Sequence, residues 1–424
     1  MFKEFRVANF KSIQKEQVFT MEACPKTVVS EFPGHVIEVG EERLLKITSI
    51  YGPNGGGKSN LLKALSTFVT VAMQNPLLND SIKNENYFPN VYLSEKYTSF
   101  TLFIVRDNFE IGYSLKLDLN KMQQTIADPF MGRLAWAVDV EIIEEEMIYR
   151  KLDEKDFSTL FKRNSNGLVE SETLNDIDLI KNSRPLAKNY TFLKYFNDSF
   201  IQDQTNIDGF PIFIFYTEIN SYVWVRRELR TFNYPKNAVN LLEPCLGKSK
   251  QMLNALDIRI EGLSFEEKDP GYYLYIKRRN NNGELVSMPL INESSGTIKA
   301  VNIIFDILTS PKESVCIADD FDAHLHPKLL RAVVELFASE ENESRQLIFN
   351  SHDIINMSNK LFRRDEIWFA YRDNNHSTQY IPLSNIVNYK GEMIRKDAVY
   401  SKQYLEGRFG ADPFIKKGLS WCDE

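Results

Sequence analysis

A glycine-rich segment of the sequence, GPNGGGKS at residues 52–59, has the spacing G-x-x-x-x-G-K-[ST] of a phosphate-binding loop. Glycines let the backbone curl so that successive N–H groups point toward a bound phosphate. In such a loop Lys58 would contact the β- and γ-phosphates of ATP, and Ser59 would bind Mg²⁺. We therefore predict that the nucleotide contacts come from Gly52, Asn54, Gly55, Gly57, Lys58, Ser59 and Asn60.

Two adjacent acids end an apolar run, VCIADD, at residues 315–320. An Asp on a strand beside a phosphate loop commonly holds Mg²⁺, and a neighbouring carboxylate orients or deprotonates the attacking water. We assign the first role to Asp319 and the second to Asp320. Apolar runs often end in Asp because strands turn there, so this assignment depends on the phosphate loop.

A second apolar run, LIFNSHD, places His352 just after a predicted buried strand. A histidine at that position could hydrogen-bond the γ-phosphate and report its presence, whereas the alternative is a histidine that caps the next helix. We favour the sensor, and we count His352 with Lys58 and Asp320 among the catalytic residues.

His324 and His326 form an H-x-H pair that could bind a metal ion together with Asp322. No further convergent ligand is evident, so we do not expect a dedicated metal site there.

Small hydroxyl and glycine residues, Ser294, Ser295 and Gly296, open a predicted helix in the segment NESSGTIKA. A helix N-terminus of this kind binds anions well, and serine is also a common N-cap. The local sequence favours neither interpretation over the other.

Several strands and helices must bring these residues together. FKEFRVANF alternates with period 2 and predicts a half-buried strand, and a second strand near LLKITSIYG runs into the glycine loop. LLKALSTFVTVAM, after the loop, has the spacing of an amphipathic helix. SFTLFIV and FEIGYSLKLDL predict an antiparallel hairpin, and GYYLYIKRRNNNGELVSMPL predicts another around NNNG.

The later half alternates helix and strand, from GTIKAVNIIFDIL through SVCIADD and KLLRAVVELFAS to RQLIFNSHD, which predicts an α/β fold. Residues 150–210 are charged and rich in Asn and Ser, and we interpret them as part of an inserted, mostly helical region. We therefore expect three segments, at 1–150, 151–260 and 261–424.

Charge and composition narrow the function classes. The formal net charge of -7 excludes a globally basic nucleic-acid binder. The segment VRRELRTF at 225–232 could still meet phosphates, although a solvated basic surface is the simpler interpretation. The 4 cysteines lie far apart without a C-x-x-C pair, which argues against a zinc site or a disulfide framework. No apolar window suggests a membrane span or signal peptide, so we expect a cytoplasmic protein.

Taken in order, these motifs resemble an ABC-type ATPase head, closer to the SMC, RecF and OLD branch than to transporters. FRVANFKSI is similar to the opening strand of that branch, which implies that Lys11 lies near the nucleotide. ESSGT, DDFDAHLHP, SHD, RRDEIWF and YLEGRFGADPFI look like the AAA-family ATPases of bacterial abortive-infection systems, of the RloA, AbiL and PARIS AriA kind. The resemblance covers about 1–150 and 260–424. It implies a P-loop NTPase head with an antiparallel β portion and the inserted region.

In ABC-type heads, the signature helix of one subunit covers the γ-phosphate held by another subunit. The resemblance therefore implies at least a homodimer in which Ser294, Ser295 and Gly296 act in trans. It also implies an anti-phage role, in which the ATPase senses infection and controls a separately encoded nuclease, often of the Toprim type. DNA or RNA is a further candidate ligand.

Two residues depart from the family pattern. Asp320 stands where the family usually has Glu, and the missing methylene withdraws the carboxylate by about 1.3–1.5 Å. A misplacement of about 1 Å can cost about a hundredfold in rate, so we expect slow hydrolysis. His324 stands where serine is more usual. No residue can be assigned as the glutamine with which ABC heads contact Mg²⁺.

The sequence thus predicts an ATP-binding, slowly hydrolysing ABC-type ATPase that assembles around nucleotide and regulates a separate effector. One rival is a DNA-repair or DNA-maintenance ATPase of the RecF or SMC kind, which a long heptad arm or strongly basic face would favour. Another is an ATP-gated scaffold with little hydrolysis. An OLD-type nuclease would need a Toprim domain after the ATPase, for which we expect too little chain.

Overall fold

The computed structural model describes residues 1–25, 32, 34–73, 95–125, 135–175, 177–200, 210–225, 233–387, 394 and 398–409. Residues 226–232 of the basic segment, residues 410–415 of YLEGRFGADPFI and Cys422 lie outside these ranges. The strands are β1 (Phe2–Ala8), β2 (Gln17–Thr20), β3 (Val36–Val39), β4 (Glu42–Leu45), β5 (Ile47–Tyr51), β6 (Tyr97–Arg106), β7 (Phe109–Thr125), β8 (Ala135–Lys151), β9 (Ser158–Arg163), β10 (Val169–Glu170), β11 (Val223–Val225), β12 (Asn233–Tyr234), β13 (Gly262–Lys268), β14 (Gly271–Arg279), β15 (Leu285–Pro289), β16 (Val315–Ala318), β17 (Gln346–Asn350), β18 (Ile367–Arg372) and β19 (Thr378–Pro382). The helices are α1 (Lys58–Met73), α2 (Asp178–Lys181), α3 (Phe192–Phe200), α4 (Pro211–Asn220), α5 (Lys236–Leu242), α6 (Leu246–Ala255), α7 (Ser295–Thr309), α8 (Pro327–Ala338) and α9 (Tyr400–Leu405).

Six strands form the sheet that carries the phosphate loop, in the order β11-β16-β17-β5-β18-β19. Neighbouring strands from β11 to β18 are parallel, and β19 pairs antiparallel with β18. Every residue of β5, β16 and β17 is buried, as expected for parallel strands that are covered on both faces. Their carboxyl ends therefore bring the phosphate loop, the acid pair and the SHD motif to one edge of the sheet.

Seven strands form a second sheet, β10-β9-β8-β7-β6-β1-β2, in which all neighbours are antiparallel. The predicted hairpin of β6 and β7 is confirmed, as is the one at NNNG, where β14 and β15 flank a turn closed by Gly283 N and Asn280 O at 2.9 Å. β12 to β15 make a smaller sheet, and β3 pairs with β4. The predicted α/β fold with an antiparallel portion is confirmed.

Alternate residues of the parallel strands belong to two hydrophobic cores. Ile317 and Ile348 join the core that packs α1 against the antiparallel sheet, where the rings of Phe68 and Phe100 lie 6.2 Å apart. Cys316, next along β16, joins the core formed with α7 and α8. The two helices predicted around the acid pair, α7 and α8, are thus held on the same face of the sheet.

The described part of residues 151–260 contains α2 to α6 together with the short strands β9 to β12. β9 and β10 extend the antiparallel sheet beyond β8, and β11 lies at the edge of the parallel sheet beside β16. The division into three segments remains a prediction. Within the described ranges, no helix combines the length and apolarity needed to cross a membrane.

Candidate nucleotide-binding site

The phosphate loop runs from the end of β5 to Lys58, the first residue of α1. At Gly57, φ is +104°, and a Cβ there would overlap Thr378 Oγ1. At Gly55, φ is +76°, but a Cβ would meet no described atom within 4 Å. The backbone conformation favours glycine at both positions, and the space beside Gly55 is open for a ligand.

Lys58 is buried within this loop. Its Nζ donates hydrogen bonds to the carbonyl oxygens of Gly52 at 2.8 Å and Pro53 at 3.1 Å. Burial lowers the pKa of Lys58 below the ordinary lysine value, because desolvation penalises the charged form. Three carboxylates oppose this shift: Asp320, Asp322 and Asp319.

A chain of hydrogen bonds links the loop to the N-terminal segment. Asn60 Nδ2 donates to Ser12 Oγ at 2.7 Å, and Ser12 Oγ lies 2.6 Å from Thr378 Oγ1. The Thr378 hydroxyl in turn donates to Gly56 O at 3.1 Å. Lys11 precedes Ser12 and has φ +51°, and its Nζ lies 6.0 Å from the centre of the Phe10 ring. Its contact with nucleotide stays a prediction.

Asn350, at the end of β17, was not singled out by the sequence. Its Nδ2 donates to Asp319 Oδ1 at 2.6 Å and to Ser59 Oγ at 3.3 Å, and its Oδ1 accepts from the main-chain N–H of Asp320. The residue is fully buried. One amide therefore joins both predicted Mg²⁺ ligands and holds the backbone of the predicted catalytic acid.

Asp320 adopts a left-handed conformation, with φ +49°. Asp and Asn tolerate this region better than longer side chains do. The backbone thus gives a physical reason for the shorter acid at this position, and the side chain is half-buried.

His352 is exposed, and its main-chain N–H donates to Asp322 Oδ1 at 3.1 Å. Residues 351–363 form turns and bends, so the alternative in which His352 caps a following helix does not fit. Its proposed contact with a γ-phosphate remains a prediction.

Ser294 is the N-cap of α7, since its Oγ accepts a hydrogen bond from Thr297 N at 3.2 Å. Ser294 and Ser295 remain exposed at the helix start. A Cβ on Gly296 would lie 2.8 Å from His324 O, so the helix start packs closely on the turn after the acids. The capping interpretation is confirmed, and anion binding stays a prediction.

The two histidines of the H-x-H pair, His324 and His326, lie in different local environments. His326 is the N-cap of α8, with Nδ1 accepting from Lys328 N at 3.2 Å, and His324 is exposed with φ +66°. Within the part of the chain that the structure describes, no three His, Cys, Asp or Glu side chains form a metal-binding group.

Ser59 and Asp319, the residues predicted to bind Mg²⁺, do not form a group of three such side chains, but their oxygens suit that ion. Ser59 Oγ and Asp319 Oδ1 both lie within hydrogen-bonding distance of the Asn350 amide. Hydroxyl and carboxylate oxygens are the ligands Mg²⁺ uses beside phosphate, which suits a site with only two protein ligands.

A family model described as "AAA domain, putative AbiEii toxin, Type IV TA system" matches residues 47–357. Similar solved structures include the SMC head domain from Thermotoga maritima, at 13% identity and TM-score 0.40, covering 90% of this chain and 98% of that chain. An SMC head bound to the C-winged helix domain of ScpA has 12% identity and TM-score 0.41, covering 90% and 96%. No protein of curated function matches the sequence.

Proposed function

This chain belongs to that AAA-domain family, and from this premise we propose that it binds ATP at residues 52–59 and hydrolyses it slowly. The observation that carries the proposal is the Asn350 amide, which holds Ser59 and Asp319 together at the edge of the sheet. This arrangement joins a phosphate-binding loop after β5 to an acid after β16, across the intervening strand β17 that carries Asn350, and nucleoside triphosphatases combine a loop and an acid in this way.

In the proposed reaction, the oxygen of a water molecule bonds to the γ-phosphorus while the bond from that phosphorus to the bridging oxygen breaks. Asp320 accepts the proton of the water, and ADP and phosphate leave. Lys58 exchanges its carbonyl partners, Gly52 O and Pro53 O, for phosphate oxygens. His352 would hydrogen-bond the γ-phosphate from its exposed position. Mg²⁺, held by Ser59 and Asp319, would neutralise phosphate charge.

We propose that two copies complete each site, with Ser294, Ser295 and Gly296 of one copy covering the nucleotide of the other. The exposed serines at the start of a 15-residue helix support this, because its main-chain N–H groups and dipole favour an anion. We also propose Lys11 as a nucleotide contact, and the hydrogen bond from Asn60 to Ser12, the residue after Lys11, supports this.

We also propose that ATP turnover controls a separate effector, a nuclease, in cytoplasmic anti-phage defence. The family description, which names a toxin of type IV toxin–antitoxin systems, supports a setting of this general kind. Expression with and without the neighbouring gene, followed by phage challenge, tests it. Protection that needs both genes and is lost in Lys58→Ala is expected. Unchanged phage titres together with salt-dependent DNA binding by the chain alone would favour the DNA-maintenance alternative.

The catalytic proposal has a direct test in the purified protein. We expect wild-type ATP turnover to exceed that of Lys58→Ala and Asp320→Ala, with Asp320→Ala still binding ATP. Wild-type turnover equal to that of both variants would overturn the proposal. Tight ATP binding without multiple turnover would instead select the scaffold alternative.

A further inference from the structure

Lys299 is a buried lysine on α7, with an exposed fraction of 4%. Its Nζ donates hydrogen bonds to the main-chain oxygens of Asp320 at 3.0 Å and Ala323 at 2.7 Å. Burial of an ammonium group is costly unless it is hydrogen-bonded. The two carbonyls therefore stabilise the lysine, and the lysine in turn fixes the backbone beside the proposed catalytic acid.

The turn at 319–326 contains two residues whose conformation is unfavourable for ordinary side chains. Asp320 has φ +49° and His324 has φ +66°. Ala323 N donates to Asp320 O at 3.0 Å, so the carbonyl that Lys299 contacts also closes the turn. Left-handed residues persist where their surroundings hold them, and Lys299 is part of those surroundings.

Gly296 supplies a second contact between α7 and the same turn, because a Cβ there would lie only 2.8 Å from His324 O. Helix and turn are thus joined both at the first residues of α7 and one helical turn later at Lys299. A displacement of the helix start relative to the turn would break the hydrogen bonds of Lys299.

We propose that Lys299 is a positioning residue that makes the start of α7 and the Asp320 turn move as one unit. The inference rests on the proposed function, in which the helix start covers the partner's nucleotide and Asp320 acts on the nucleotide of its own chain. When the start of α7 closes over the partner's nucleotide, Lys299 would then position Asp320 at the nucleotide bound by its own chain.

Hydrogen exchange without nucleotide tests whether Lys299 holds the turn at 319–326, independently of any ATPase activity. Lys299→Met removes the ammonium group and keeps most of the apolar stem, and Lys312→Met is the control at an exposed lysine. Peptides covering 319–326 are expected to exchange about tenfold faster in Lys299→Met alone, as for loss of a charged hydrogen bond. Unchanged exchange in a folded Lys299→Met variant would overturn the proposal.

Turnover tests the functional part. Lys299→Met is expected to lower kcat about tenfold through misplacement of the acid, with ATP affinity unchanged, and Lys299→Arg is expected to recover most of kcat. Equal losses of kcat and ATP affinity would mean general damage and contradict positioning. If the wild type itself does not exceed Lys58→Ala, the proposed function fails, whereas hydrogen exchange still decides whether Lys299 holds the turn.

Mixed dimers test the coupling. In a dimer of Lys58→Ala with Lys299→Met, the working phosphate loop shares its chain with the altered lysine. In a dimer of wild type with the double variant Lys58→Ala/Lys299→Met, the altered lysine lies only behind the signature residues that cover the working site. Turnover in both mixed dimers is expected to be lower than in a dimer of wild type with Lys58→Ala. A reduction confined to the first dimer would show that Lys299 acts only on its own site and overturn the coupling.

Discussion

Asn350 donates a hydrogen bond from Nδ2 to Asp319 Oδ1 at 2.6 Å, from inside a fully buried position. The same nitrogen lies 3.3 Å from Ser59 Oγ, so one side chain spans the ends of two strands and the start of α1. The bound metal would need the same two oxygens. Asn350 therefore sets how far apart the predicted ligands are before nucleotide arrives.

Asn350→Ala is expected to lower ATP turnover about tenfold, because a displacement of the predicted Mg²⁺ ligands by less than 1 Å is costly in rate. The variant is also expected to raise the Mg²⁺ concentration needed for half-maximal turnover. Asn342→Ala is the matched control, because Asn342 is also buried and donates to Phe337 O and Arg345 O. Both variants are expected to lose about 1–3 kcal/mol of unfolding free energy. Mg²⁺ dependence that shifts equally in both would contradict a specific role for Asn350.

Asp320→Glu is expected to raise kcat several-fold, because the added methylene extends the carboxylate by about 1.5 Å toward the attacking water. The left-handed backbone at residue 320 opposes the change and is expected to cost about 1 kcal/mol of stability. Steady-state turnover and chemical denaturation separate the two effects, with Asp320→Asn as the variant that binds ATP but lacks a base. A lower kcat in Asp320→Glu would show that the site is built around the shorter acid.

Thr378→Val removes the hydroxyl that joins Ser12 to Gly56 O and nearly keeps the side-chain shape. We expect weaker ATP binding and a loss of about 1–2 kcal/mol of unfolding free energy, since buried polar groups lose a partner. Thr309→Val, where the hydroxyl donates to Phe305 O in α7, is the control and should leave ATP affinity unchanged. Titration with a fluorescent ATP analogue measures the ATP affinity of both variants. Equal affinities in the two variants would remove the hydroxyl chain from nucleotide binding.

The lowered pKa of Lys58 has a consequence for pH dependence. The folded chain releases this proton at lower pH than an ordinary lysine, so ATP affinity is expected to fall before the usual lysine range is reached. Because the unfolded chain holds more protons there, the contribution of Lys58 to stability rises with pH through the same window. Lys58→Arg keeps its charge and should show a flatter affinity profile. Identical profiles would exclude Lys58 as the titrating group.

Action of the helix start in trans can be tested by mixing two inactive variants. Lys58→Ala disables the phosphate loop, and Ser295→Arg places a bulky side chain at the exposed start of α7. A mixture should recover about a quarter of wild-type turnover, because random pairing in a symmetric dimer leaves one intact site in half of the dimers. Absence of recovery, with each variant folded, would place Ser295 outside the partner's site.

Local patterns in the sequence indicate the motifs that the structure brings to one edge of the sheet, and contacts between distant residues account for what those patterns miss. The strand, loop and helix around Lys58 are contiguous, so periodicity and glycine spacing suffice to find them. Asn350 gains its role only because β16 and β17 lie side by side. Ser12 and Thr378 stand at opposite ends of the sequence. Lys299 would be taken as a solvated helix residue, since nothing local indicates that a turn covers it.

Sheet order has a consequence for the growing polypeptide. β5 is made early, but its two neighbours, β17 and β18, comprise residues 346–350 and 367–372. The central parallel sheet therefore cannot form around the phosphate loop until most of the chain has left the ribosome, since non-local strand pairs form last. The proposed nucleotide site is therefore completed late in synthesis, and an incomplete chain is not expected to bind ATP.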